Sequence, residues 1–346
     1  MKVFNFTDAC RHIFPNSIVI DSALLYPITD KGWDIEMPDR EDIGDRFDDA
    51  DFKLIFNLQD HLTTKSTGMV GDGFVFYDIP LELAKIRNFY KGWAPSNQII
   101  VVVWPLGLVD AWPKHEFHLV EFSSHQYETW LYYKSAEGVL REAFSYLDKD
   151  FEYNFLCMNR IEKPHRKILY SKLASMTSGN ISLQSAGHEL KYPGLDFVTY
   201  DRHYDNLSNL LSIKRNFQTS MFSLVTETQY HERFGIITEK TLNAIVAGHP
   251  FIVAGHHGCL DDIKSLGFKT YPTIFNEEYQ YFENDERIDA ILDLNGAYFT
   301  RITTTALHDL VDEHRDIIDY NRDYFFDSFG PDRLEWFRTQ LLNIWE

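Results

Sequence analysis

Residues 235–272 read GIITEKTLNAIVAGHPFIVAGHHGCLDDIKSLGFKTYP, and their reading decides the fold. From Thr238 onward, Leu242, Ile245 and Val246 recur at the spacing that buries one face of a helix. Thr238 is placed to cap that helix and Gly248 to end it. PFIVA (250–254) is a short continuous apolar run, the pattern of a strand covered on both faces in a parallel sheet. Gly255 and Gly258 mark a turn, and residues 260–266 start the next helix. Thr238, Glu239 and Lys240 then share a first helical turn, where free backbone N–H groups and the positive end of the helix dipole favour an anion. A Glu beside a Lys can hold a ribose hydroxyl and a phosphate together, so this turn is a candidate nucleotide site.

Outward from this stretch, strands keep alternating with helices, the signature of an α/β chain. SMFSLV (220–225) reads as a central strand that delivers Glu227 to a crevice, with an exposed loop carboxylate as the alternative. NFLCM (154–158) reads as the first strand of a second domain, after the charged, hinge-like DKDFEY (148–153). Arg160 stands at that strand's end, and EKPHR (162–166) enters a helix with Pro164 in its first turn. Arg166 offers a pyrophosphate a fork of donors that a lysine lacks; a surface salt bridge is its other use. In the first half, residues 3–6, 17–21, 52–57, 74–78, 99–104 and 117–122 read as strands, and 81–87, 126–130 and 137–147 as helices. FKLIFN (52–57) runs into LQDH (58–61), just past a strand's carboxyl end, where open α/β sheets bind ligands. Asp60 there is placed either to take a proton from an acceptor hydroxyl or to cap the next turn. Trp104, Trp112, Tyr127, Trp130, Tyr132 and Tyr133 offer sugar-stacking platforms or core packing. Helices are expected at 288–294, 307–326 and 334–345, the second with Leu307, Leu310, Val311, His314, Ile317 and Ile318 as its core stripe.

The chain's 346 residues suit two domains better than one. With 33 Lys and Arg against 52 Asp and Glu, a formal charge of −19 opposes non-specific binding to nucleic acid or anionic membrane. An anionic ligand would have to be met by a few well-placed basic residues. Cys10, Cys157 and Cys259 form no CxxC pair, so neither a disulfide framework nor a structural zinc site is expected, and a reducing cytoplasm is the default. MKVFNFTDACRHIF has no signal-peptide pattern, and no apolar run has the length of a bilayer span. His256, His257 and Cys259 lack convergent ligands at metal spacing. The Asp-rich stretches at 48–51 and 148–150 precede a strand, unlike the D-x-D of metal-dependent glycosyltransferases. The sequence has no G-x-G-x-x-G, G-x-x-x-x-G-K-S/T or G-x-S-x-G, which removes the usual support for dehydrogenase, P-loop ATPase and α/β-hydrolase readings.

Roughly over residues 155–275 the chain resembles the donor-binding domain of the α1,3-fucosyltransferases, glycosyltransferases of the two-domain GT-B class. LVTET (224–228) stands where that family has a Phe-Glu-Asn-Ser segment, and ITEK (237–240) where it has Val-Thr-Glu-Lys. RKILYSKL (166–173) reproduces its spacing of an Arg four residues before a Tyr and seven before a Leu. The Asn-Ser pair is missing after Glu227, and the gap between the two Glu residues is two longer. The resemblance implies two Rossmann-like domains facing across a cleft: 1–150 on the acceptor side, 151–320 holding the nucleotide sugar, and a helical 321–346 that in such enzymes often crosses back. It implies transfer of a sugar from a nucleotide diphosphate, a GDP- or UDP-sugar, to an acceptor hydroxyl, with no metal or other cofactor. Thr238, Glu239, Lys240, Arg166 and Arg160 would bind the donor, Glu227 would contact its sugar, and Asp60 would be the base if the anomeric centre inverts. Retention stays open. The acceptor would be a surface glycan or, as the minority case, hydroxymethylated phage DNA, in a bacterial or phage-infected cytoplasm. A catalytically silent nucleotide- or sugar-binding module is the alternative.

Overall fold

The structure is a computed structural model of the chain. It describes residues 10, 15–21, 40–57, 86, 88–90, 94–95, 98–103, 118–145, 149–159, 162–174, 176–183, 206–231, 236–300 and 302–342. By internal contacts the chain divides into one unit of residues 1–127 with 333–346 and a second of residues 128–332. The division thus falls at 127/128 and 332/333, where the sequence reading put 150/151 and 320/321. The strands expected at 3–6 and 74–78 lie outside the described residues.

In the first unit, β1 (Ser17–Asp21), β2 (Lys53–Asn57), β3 (Ile99–Val103) and β4 (His118–Glu121) form a parallel sheet in chain order. Leu54, Ile55, Phe56, Ile100, Val101 and Val102 are all buried, which is why these segments read as unbroken apolar runs rather than as alternating ones. The chain then forms helices α1 (Ser124–Ser135) and α2 (Glu137–Ala143).

The second unit continues with β5 (Tyr153–Asn159), α3 (Pro164–Leu173), β6 (Gly179–Leu183), α4 (Asn206–Ser212), α5 (Lys214–Thr219), β7 (Ser220–Thr226), α6 (Glu239–Val246), β8 (Phe251–Ala254) and α7 (Cys259–Ser265). Its sheet is parallel in the order β6-β5-β7-β8. The chain leaves β5 for β6 on one side, then returns to β5's other side with β7. This reversal between β5 and β7 is a topological switch point, and the sheet of the first unit has none among its described strands. Every residue of β7 and β8 is buried. The outward amide of Val253 on edge strand β8 is capped by the Tyr279 hydroxyl at 3.0 Å, which closes that position to further strand pairing. Phe155, Phe222, Phe275 and Phe299 pack ring against ring in the core, with centroids 5.0–5.9 Å apart.

Of the charged, hinge-like stretch, residues 149–153 are tied into the second unit: Lys149 and Phe151 are buried, and the Asp150 and Glu152 amides donate to the carbonyls of Gln218 and Thr219 at 3.0 and 2.8 Å. The helix expected over 307–326 is broken into α9 (Thr304–Glu313) and α10 (Arg315–Tyr324), after α8 (Asn284–Leu294). The His314 ring takes the Leu310 carbonyl through Nδ1 at 2.8 Å, so its backbone N–H turns to Val311 instead. That substitution of a side-chain donor for a ladder donor stops the helix. Leu307, Val311 and Ile318 of the expected stripe are buried, while Leu310, His314 and Ile317 are only partly covered.

After α10 the helix widens to a π turn over Phe325–Phe329 and resumes as α11 (Gly330–Leu342). Pro331 accounts for the widening: it has no N–H for the Asp327 carbonyl, and its ring crowds that oxygen. Phe337 of α11 packs on Phe122 of the first unit with centroids 4.5 Å apart. Gly330 lies so close beneath the Trp130 indole that any Cβ there would overlap its ring atoms. Gly330→Ala is therefore expected to destabilise the chain by roughly 1–3 kcal/mol, an overpacking cost read from urea melts; an unchanged midpoint would show that the indole moves aside freely.

Buried Lys149 generates a pH dependence. Its Nζ donates to the carbonyls of Phe217 and Ala247 at 3.2 and 3.3 Å, and desolvation, with Arg322 adding to it, lowers its pKa from 10.5 to about 7. Between those values the unfolded chain holds a proton that the folded chain has released, so this group makes stability rise with pH from about 7 to 10.5, by at most ~1.4 kcal/mol per pH unit. Lys149→Met should flatten that slope in urea melts at about pH 7.5 and 9.5; identical slopes in both proteins would assign the rise elsewhere.

Candidate functional site

At the switch point the carboxyl ends of β5 and β7, the start of α3 and the first turn of α6 meet through side-chain hydrogen bonds. β7 ends at Thr226, and the Glu227 amide extends its ladder by donating to the Ala254 carbonyl at 3.0 Å. The chain returns at Thr238, whose extended backbone and side-chain oxygen, accepting from the Lys240 amide at 3.4 Å, make it the N-cap of α6. Gly248 ends the helix at φ +64°, a conformation that residues with a Cβ rarely adopt.

Glu227 is fully buried. Its Oε1 accepts from the Thr238 amide at 3.0 Å and from the Thr241 hydroxyl at 2.7 Å, and its Oε2 accepts from the Thr238 hydroxyl at 2.5 Å. The anion that the amino terminus of α6 attracts is thus a carboxylate of the chain itself. The exposed-loop alternative for Glu227 is thereby corrected, since the side chain is fully buried. Both of its oxygens are engaged by the helix it caps, so its contribution in this structure is to hold α6 to β7.

Basic side chains surround that junction. Lys240 Nζ lies 2.7 Å from Glu239 Oε1 and donates to the hydroxyls of Thr238 and Thr228 at 3.2 and 3.3 Å. The Lys240 and Glu239 side chains are 30% and 25% exposed, which leaves this pair open to a ligand while its base is fixed. Lys163, at the N-cap of α3, donates to the Thr228 carbonyl at 2.8 Å. Arg166 is buried and donates to the carbonyls of Thr226 and Glu227 at 3.1 and 3.5 Å, so it is no surface salt bridge. Desolvation lowers its pKa, while the carboxylates of Glu227 and Glu239 oppose that shift and favour its charge. His165 donates through Nε2 to the Glu227 carbonyl at 3.0 Å and stacks on Tyr230 with centroids 4.7 Å apart. Burial and the neighbouring Arg166 lower its pKa to about 3, so the ring is neutral at physiological pH.

The structure therefore brings together Arg166, Glu227, Thr238, Glu239 and Lys240; Asp60 and Arg160 lie outside the described residues. Sequence reasoning missed Thr228, Thr241, Lys163 and Arg287. Thr241, one turn after the cap and apolar-facing, was readable as a second donor to a buried acid. Arg287 carries no local signal: it is buried in α8 and donates to the carbonyls of Tyr230, Phe282 and Gly255, tying together segments that follow β7 and β8. His256 Nε2 is bonded to Asp262 at 2.6 Å, and His257 packs on Tyr281. Among the described residues, no group of three or more His, Cys, Asp or Glu stands together as a metal site. Of the aromatic candidates, Tyr127, Trp130 and Tyr133 are buried and Tyr132 is exposed, while Trp104 and Trp112 are outside the described residues.

Fold and site together define an α/β chain with two parallel-sheet units and a cluster of charged side chains at the switch point of the second. Compared with protein-family models, with curated proteins and with solved structures, the chain matches none. Among the described residues, no helix is long and apolar enough to cross a membrane. Glu227→Ala would strand the Thr238 amide and two buried hydroxyls, and a loss of roughly 2–4 kcal/mol is expected in a urea melt. A loss below about 1 kcal/mol would mean that water satisfies the cap as well as the carboxylate does.

Proposed function

We propose that the chain is a glycosyltransferase of the GT-B class, whose second unit binds a nucleoside diphosphate sugar and delivers the sugar to an acceptor hydroxyl. The observation that carries this reading is the partly exposed Glu239–Lys240 pair at the first turn of α6, beside Thr228 and at the switch point of the sheet. A carboxylate suits the two hydroxyls of a ribose, and an ammonium 2.7 Å away suits the phosphate attached to it. Lys240 would stabilise the negative charge that grows on the departing diphosphate. Arg166, close enough to Glu227 and Glu239 for their charges to act on it, adds positive potential from behind the strand end. In this reading side-chain cations, rather than a bound metal, supply the charge at the leaving group. Asp60 is the acceptor-side base on the sequence argument. A glycan hydroxyl suits the net charge of −19 better than a modified DNA base does. The complete engagement of Glu227 favours a second reading, a nucleotide-binding module that performs no transfer.

A thermal-shift titration with GDP, UDP, CDP, ADP and dTDP, with and without EDTA, tests the site, because a ligand that binds only the folded chain raises its melting temperature. One nucleotide is expected to stabilise the protein equally in both conditions. Lys240→Ala should weaken its binding about 10–100-fold, the worth of one charge-assisted hydrogen bond. Stabilisation abolished by EDTA would overturn the metal-independent reading, and a Lys240→Ala protein with undiminished affinity would remove the phosphate assignment. Binding without sugar transfer to any acceptor would leave the second reading in place.

A further inference from the structure

The ammonium of Lys240 reaches the crevice at the end of a relay that begins in the core. Glu227 Oε2 accepts the proton of the Thr238 hydroxyl, and that same hydroxyl oxygen accepts from both the backbone N–H and the Nζ of Lys240. A hydroxyl has one proton and two lone pairs, so Thr238 is saturated: it gives its proton to Glu227 and both lone pairs to Lys240. The direction of these bonds is set at Glu227. An ionised carboxylate only accepts, which fixes the Thr238 proton on its side and leaves the lone pairs for Lys240. The backbone of Glu227 is held just as firmly, with Arg166 and His165 both on its carbonyl.

We propose that Glu227 is the positioning residue of the crevice. Acting through Thr238, it aims the Lys240 ammonium, and by filling the amino terminus of α6 it directs a ligand phosphate to that ammonium instead of to the helix end. The inference rests on the nucleotide-binding reading and deepens it. Complete burial and three accepted hydrogen bonds distinguish this carboxylate from a placeholder that a phosphate would displace, because ejecting it would leave the Thr238 amide and the Thr241 hydroxyl without their acceptor.

Glu227→Gln isolates the relay from the packing. The amide oxygen can still accept from the Thr238 amide and the Thr241 hydroxyl, but the amide nitrogen must donate where the carboxylate accepted. The Thr238 oxygen then faces three donors with two lone pairs, and one bond to Lys240 is lost. A double-mutant cycle of Glu227→Gln and Lys240→Ala, read as affinity for the nucleoside diphosphate that stabilises the wild-type protein, is expected to show about tenfold weaker binding for Glu227→Gln alone. In the Lys240→Ala background the same change should alter affinity by less than about twofold.

Equal losses in both backgrounds would make Glu227 a structural residue only, and tighter binding by Glu227→Gln would make it a placeholder; either overturns the proposal. A second readout needs no nucleotide: trace acetylation of the intact protein with acetic anhydride, with the Lys240 peptide quantified by mass spectrometry. Lys240 should label roughly 2–10-fold faster in Glu227→Gln than in the wild type, as its hydrogen bonding relaxes. Unchanged labelling would overturn the relay even if nucleotides bind. Faster labelling in a protein that no nucleotide stabilises would uphold the relay while removing the nucleotide reading.

Discussion

A carboxylate taken fully out of water has to be met by donors that replace its hydration, and here those donors are the start of a helix. Glu227 receives the Thr238 amide and the hydroxyls of Thr238 and Thr241, with the helix dipole adding its positive end. The bond is mutual. The helix needs an acceptor for an amide that has no partner within the helix, and the buried charge needs the amide. Neither strand β7 nor helix α6 could keep its present end without the other. The position of everything displayed on that first turn follows from this junction.

The rest of the crevice obeys the same rule in reverse. Arg166, Lys163 and Arg287 are buried basic side chains that donate to backbone carbonyls at the ends of β7 and β8 and in the segments that follow. A carbonyl has no net charge, so these contacts satisfy donors without neutralising them, while the carboxylates of Glu227 and Glu239 offset part of the Arg166 charge. The loops at the carboxyl end of the sheet are thereby pinned by groups that remain cationic. Glu239 and Lys240 stand in front of this pinned layer with a quarter to a third of their side-chain surface open. Rigidity at the back and exposure at the front are the two properties that a preorganised anion site requires.

The elements of this site were legible because their signals are local. The apolar spacing of α6, its Thr238 cap, the Gly248 stop and the unbroken β8 run all lie within a single turn or strand of the residues they govern. Arg166 was found through its spacing to Tyr170 and Leu173, and Glu239 and Lys240 through their place in a first turn. The role of Glu227 was not legible, since its partners Thr238 and Thr241 lie eleven and fourteen residues on, across a loop whose path no periodicity encodes. Arg287 was invisible for the same reason, being tied to carbonyls 32 and 57 residues away. The break at His314 escaped because a helix stripe records which face is buried and not which donor takes a given carbonyl. Lys149 lies in a stretch that reads only as charged and hinge-like; its hydrogen-bond partners, the carbonyls of Phe217 and Ala247, are far along the chain.

That distinction between near and far also resolves the apparent conflict between a chain of formal charge −19 and an anionic ligand. At physiological ionic strength the screening length is about 8 Å, so carboxylates scattered over the surface act weakly on a ligand in the crevice. Charges buried at the crevice floor are screened far less, since little water or salt reaches them. Lys163 and Arg166 are such charges, set beside the buried carboxylate of Glu227, and Lys240 stands next to them partly exposed. Next to the Lys240 ammonium these near charges count for more than distant carboxylates, whereas the acidic surface governs encounters at longer range. A small, multiply charged anion is compatible with both facts. A long polyanion that must also lie along the acidic surface is not, and the same electrostatics that support a nucleotide in this crevice weigh against nucleic acid as the acceptor.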